Sequence, residues 1–224
     1  MSDQIASYNP RKINRRVPAG QYDAAIVHGG DYLADLGTPP AANVSGLVTA
    51  QSATAVAAVT FTLATDELSH RYGANIRYDG PTTATGDRNL QVKGRDYLGQ
   101  PMREDINLAA TAVSGQKAFK WIDSIVHTSG TAGATNISIG WGDILGLPFR
   151  CLGPIHDGTF IDEASVTNGS VVNGMATTVT AGATTADVRG TFVHSGTAPN
   201  GSRRFRLHYI ASRSEMHGAA QYYA

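Results

Sequence analysis

Seven histidines, one cysteine and a scatter of carboxylates are the side chains here whose chemistry extends to metals or catalysis. Spacing limits what they can do. A zinc site wants paired ligands at set intervals, yet no His-x-x-x-His or Cys-x-x-Cys run occurs, and Cys151 has only His156 and Asp157 near it in the chain. The expectation is no metal and no cofactor. Asp123 with Glu163 could be imagined as a glycosidase pair, but that chemistry depends on a carboxylate separation that a sequence does not state. There is no G-x-S-x-G elbow to mark a nucleophilic serine, and Ser, His and Asp are too numerous to single out a triad. Gly140 to Gly146 lacks the G-x-G-x-x-G spacing and has no βαβ context, so it is read as a tight loop placing Trp141 and Leu147 in the core. Cys151 is read as a small apolar filler, and with one cysteine no internal disulfide can form.

Charge narrows the partners. Basic and acidic residues number 18 each, so the whole surface offers no broad field for nucleic acid or an anionic membrane. Two local clusters stand out. Arg11, Lys12, Arg15 and Arg16 form the dense one, suited to an acidic partner surface or to phosphates. Arg203, Arg204 and Arg206 form the other, where alternation sends Arg204 and Arg206 to the face opposite Phe205 and Leu207. Binding of single-stranded nucleic acid would want aromatics on the basic face, so no specific nucleic-acid role is expected.

The elements that must carry these residues read as strands. Asn89 to His127 is the centre: NLQVKGRD, MREDINL and KAFKWIDSIVH are three candidate strands, separated by YLGQP and AATAVSGQ. Met102, Glu104, Ile106 and Leu108 alternate with Arg103, Asp105 and Asn107, the period of a strand with one wet face, although Glu104 breaks the apolar series. Gly99 and Pro101 should reverse the chain, giving a three-stranded antiparallel meander. Further strands are expected at 55–64, 75–78, 135–141, 160–167, 170–180, 187–195 and 203–211. Thr65 is expected to cap a short helical turn over 65–70. The last two strands should form a hairpin, with His194 and His208 facing each other across it. Trp121 and Trp141 both lie in apolar, strand-like contexts and should be buried.

Turn signals about every ten residues indicate an all-β fold, an antiparallel β-sandwich or barrel of jelly-roll type. One substantial core is expected at 224 residues. Residues 1–50 differ from the rest. Asn9-Pro10, Val17-Pro18, Gly29-Gly30 and Thr38-Pro39-Pro40 interrupt them so often that an irregular N-terminal arm is predicted, with the β domain occupying 51–224. Tyr22, Ile26, Val27, Tyr32, Leu33 and Leu36 require that the second half of the arm pack on something. Arg11, Lys12, Arg15, Arg16, Tyr22 and Tyr32 are therefore the candidate partner-docking residues. No basic start followed by an apolar run marks a signal peptide, and no apolar run reaches the ~20 residues of a membrane helix. The expectation is a soluble chain made in the cytosol.

Three segments together resemble the virion structural proteins of tailed bacteriophages, most nearly the capsid decoration, or cement, proteins. They are Val92 to Met102 with Gly115 to Lys120, then Ile139 to Pro148, then Asp187 to Phe192 with Pro199-Asn200-Gly201. This resemblance implies a β-rich homotrimer on the virion, bound to the outer surface of the capsid and clamping major capsid protein subunits together. It implies synthesis in the host bacterial cytoplasm, and neither enzymatic activity nor a cofactor. The alternatives are a tail, collar or head-fibre component, or a glycan-binding adhesin domain, with a depolymerase third.

Overall fold

The computed structural model describes residues 29–53, 58–80, 89–108, 112–128, 134–162, 164–166, 169–174, 179–180 and 187–212. These residues form an all-β protein, fourteen strands in three sheets with no helix among them. The first sheet orders β1 (Gly29–Gly37), β14 (Phe205–Ser212), β10 (Cys151–Ile161) and β11 (Ala164–Val166). The second orders β12 (Ser170–Asn173), β13 (Gly190–Val193), β9 (Ala134–Gly146), β4 (Ala74–Asp79) and β7 (Ala112–Ser114), with β2 (Asn43–Ala53) also pairing β9. The third orders β3 (Val59–Thr60), β8 (Trp121–His127), β5 (Asn89–Arg95) and β6 (Pro101–Asn107). All pairings are antiparallel.

The β5–β6 hairpin forms as its turn residues dictate. Gly99 takes φ +78°, Gly99 N–H donates to the Asp96 carbonyl, and Asp96 Oδ1 accepts from the Leu98 and Gln100 N–H groups. Met102, Glu104, Ile106 and Leu108 all turn inward, Glu104 among them at 1% exposure.

β8, however, pairs with β5 and not with β6, so the order is β8-β5-β6 and no meander forms. The intervening chain is diverted: β7 pairs β4 in another sheet, and Gly115 N–H donates to the Ile76 carbonyl. The predicted final hairpin is likewise absent, because β13 joins β9 and β12 while β14 joins β1 and β10. Its turn residues are there, but Gly201 N–H is bound to the Pro39 carbonyl, and the segment crosses between sheets. His194 reaches Asp143 instead (Nε2 to Oδ2 2.7 Å), and His208 lies opposite Leu33.

Three local expectations also change. Gly140 to Gly146 continues β9 and is no loop. Its glycines serve close approach, since a Cβ at Gly140 would meet the Asn43 carbonyl and one at Gly142 the Asn75 amide. Thr65 caps no helix, and its hydroxyl donates to the Glu67 carbonyl (3.2 Å) and accepts from Glu67 N–H (3.3 Å) in a local turn. Trp121 and Trp141 are half-buried rather than enclosed, Trp141 donating its Nε1–H to the Ala41 carbonyl at 3.0 Å. Within 1–50, residues 29–37 and 43–50 belong to strands, so the expected lack of any regular element does not hold there. Glycine and proline breaks cap and separate these strands; the pairing that makes them regular comes from β14 and β9, far off in sequence. Residues 1–28 lie outside the described part.

The described residues bury two apolar clusters in place of the single expected core. One gathers Leu47, Ile76, Tyr78, Leu90, Val92, Met102, Phe119, Ile122 and Ile139. The other gathers Leu36, Leu145, Leu147, Phe192, Phe205, Leu207 and Tyr209, with Cys151 among them as a filler whose thiol burial pushes up to about 12.

Candidate functional site

Three places combine unusual chemistry with position: an enclosed ionic node, the outer face of the first sheet, and a shallow cleft beside Trp121. The node is built on the β5–β6 hairpin. Asp96, fully buried at the hairpin turn, forms an ion pair with Arg189, itself 2% exposed, whose guanidinium also lies over the Tyr97 ring at 4.9 Å. Tyr97 donates its hydroxyl to the Pro148 carbonyl at 2.5 Å. Its ring meets Tyr72 edge-on, 5.0 Å between centroids.

Further along β6, opposite Val92, Glu104 accepts the backbone N–H groups of Gln116 (2.7 Å) and Lys117 (3.2 Å). Asp187 accepts those of Ala118 (3.2 Å), Arg189 (2.9 Å) and Gly190 (2.8 Å). Burial raises the Glu104 carboxyl to about 7, against the pull of those two N–H donors. It raises Asp187 and lowers Lys117 in the same way, each toward its neutral form. Asp96, Tyr97 and Glu104, the segment 116–118, Pro148 and the segment 187–190 are thus linked by these contacts.

The outer face of the first sheet is the second place. Phe205, Leu207 and Tyr209 point inward, so alternation leaves Arg204, Arg206, His208 and Ile210 on the other side. Register sets Leu33 beside His208 and Phe160 beside Arg206, whose guanidinium covers the Phe160 ring at 5.6 Å. Leu33, Leu152 and Ile210 are 47%, 36% and 39% exposed, three of the four large exposed hydrophobics among the described residues. At one end Arg204 and Arg71 pair with Asp35, whose carboxyl the Arg204 hydrogen bonds hold down at about 2. At the other end, Gly29 pairs with Ser212.

Of the sequence-expected docking residues, Arg11, Lys12, Arg15, Arg16 and Tyr22 fall in 1–28, outside the described residues. Tyr32 lies on the inner side of β1, half-buried and edge-on to Phe149 (4.6 Å) and Tyr209 (5.9 Å). It anchors β1 to the second cluster. Asp123 pairs with Arg95 (2.8 Å) across the third place, a cleft of about 230 Å³ lined by Asp66, Arg95, Gly99, Trp121, Ile122 and Asp123. Glu163, its imagined partner, is outside the described residues. No group of three or more metal-ligating side chains occurs among the described residues.

Sequence reasoning noticed Glu104 but missed Asp96, Lys117, Asp187 and Arg189 as members of one node. A charged residue on the apolar side of an alternating strand was the only signal for it. Comparison with family models, with curated proteins and with solved structures finds no match to this chain.

Proposed function

We propose that this chain is a structural component of a tailed-phage particle, docking as a trimer on the outer surface of the capsid and stabilising contacts between major capsid protein subunits. The observation that carries this reading is the outer face of the first sheet. Large exposed apolar side chains gathered on one sheet are a candidate recognition surface. Leu33, Leu152 and Ile210 supply them, beside the point where the segment bearing Arg11, Lys12, Arg15 and Arg16 enters the fold. Apolar burial would supply affinity, and the basic cluster would steer the encounter and set its salt dependence.

The test uses shell particles lacking this chain, mixed with the full protein, with a chain lacking residues 1–20, and with Ile210→Lys. Ile210 is exposed, so its replacement should leave stability within ~0.5 kcal/mol. Both variants are expected to stay folded. Ile210→Lys should lower occupancy at all salt concentrations, whereas the truncation should lower it most at low salt. Wild-type occupancy by both would remove the reading.

A second reading, a glycan-binding surface, is favoured by one specific feature. The half-buried Trp121 lines a cleft with Asp66, Asp123 and Arg95, an apolar ring beside polar groups able to bond hydroxyls. Titration with neutral hexoses should then quench tryptophan emission in the parent and not in Asp66→Ala. An unchanged spectrum at saturating sugar would discard it.

A further inference from the structure

Lys117 is the most unusual side chain in the described fold. It is fully buried, and its Nζ hydrogen-bonds to nothing. An ammonium in that position loses its hydration and gains no direct partner, which few folds tolerate without a reason. Its own segment is gripped from two sides by buried carboxyl groups. Glu104 takes the N–H groups of Gln116 and Lys117, and Asp187 takes that of Ala118.

We propose that Lys117 and Asp187 become joined by an amide bond formed within the fold, with Glu104 carrying the proton. The nucleophile is the uncharged amine. Burial favours its deprotonated form, the charges of Glu104 and Asp187 both act on it, and a flexible four-carbon stem carries it. Asp187 is the better electrophile because of its donors. Its Oδ1 receives two backbone N–H groups, from Arg189 and Gly190, so negative charge developing there during attack is stabilised as in an oxyanion hole. Its Oδ2 receives only the longer bond from Ala118.

The step balances without an oxidant or a cofactor. Lys117 Nζ bonds to Asp187 Cγ. Glu104 takes a proton from the nitrogen and returns it to Oδ2, the Cγ–Oδ2 bond breaks, and one water leaves. The protonated acid that this requires is the form burial favours for Asp187, and a carboxyl titrating at about 7 suits Glu104 to proton transfer near neutrality. Arg189 would otherwise hold Asp187 ionised, but its charge is shared with Asp96 and the Tyr97 ring. The product ties the segment before β8 to the turn before β13, a covalent staple in a chain whose lone cysteine forbids a disulfide within it.

Intact mass spectrometry of the folded wild-type chain decides the matter. The expected mass is lower than that of the sequence by one water, and a protease digest should contain a branched peptide joining Lys117 to Asp187. Lys117→Met and Asp187→Ala should each restore the full mass, read on denatured protein so that folding is immaterial. Glu104→Gln should slow bond formation by ~100-fold or more. A wild-type mass equal to the sequence overturns the proposal. So does a water loss that maps elsewhere, such as to a succinimide at Asp79-Gly80 or Asp157-Gly158.

Discussion

Arg189→Ala is expected to destabilise the fold by ~3 to 5 kcal/mol, the range for breaking one partner out of a buried ion pair. Asp96 has no exposed surface, and its second oxygen already holds the Leu98 and Gln100 N–H groups of the hairpin turn. Without Arg189 a carboxylate would remain in the interior with its countercharge gone, and the Tyr97 ring would lose the guanidinium packed over it. The cost comes from the charge left behind. Asp96→Asn combined with Arg189→Met should therefore be less damaging than the sum of the two single changes, since each single leaves one charge unpaired and the double leaves none. Urea unfolding of the two singles and the double, closed as a cycle, measures this. A loss under ~1 kcal/mol for Arg189→Ala would place the pair in wetter surroundings than its burial indicates.

His70→Phe is expected to make the fold more resistant to acid. His70 is 2% exposed, meets the Trp141 ring edge-on at 6.0 Å, and has neither ring nitrogen in hydrogen-bonding geometry. Desolvation lowers it to about 4, the Lys120 charge acts in the same direction, and the nearby Pro40 backbone opposes both weakly. The sign follows from proton counting. Above pH ~6.5 the ring is neutral in both states; below that the unfolded chain binds a proton the native state refuses, until about pH 4. The parent should lose ~3 kcal/mol across this window on account of His70, and the Phe variant should not.

Glu104 works in the opposite direction. Raised to about 7 from 4.5, it keeps a proton in the native state that the unfolded chain gives up, so its burial lowers stability as pH rises through that interval. The parent profile between pH 4.5 and 6.5 should thus be flatter than that of His70→Phe or of Glu104→Gln. The difference between His70→Phe and the parent, followed from pH 8 to pH 4 by urea midpoint, isolates the histidine. A difference that does not change with pH would mean that the ring is hydrated or bonded in the native state.

The strands were legible where alternation is local. β6 and β14 present the side chains that a period of two assigns to each face, and Gly99 turns the chain where Gly and Pro demanded it. Pairing was not legible. Whether β8 sits beside β5 or β6 leaves its own alternation unchanged, so the pattern of β8 holds no information about its neighbour. The same holds for β13 and β14, whose turn residues were present and were used against Pro39 instead. Glycine misled in β9, because a residue without Cβ reads as a turn when it serves close approach of two backbones.

What the sequence determined by itself was the all-β class, the inward apolar residues of β6 and β14, and the place of Glu104 in the inward series of β6, since all three follow from side-chain type and a two-residue period. Only the tertiary structure decided which sheets those strands join and which groups surround Glu104. Lys117, Asp187 and Arg189 sit in connecting segments with no period of their own, and the ionisation of Lys117 and Asp187 depends on burial by elements distant in the chain. Desolvation is a property of the assembled interior, and no local run of residues carries it.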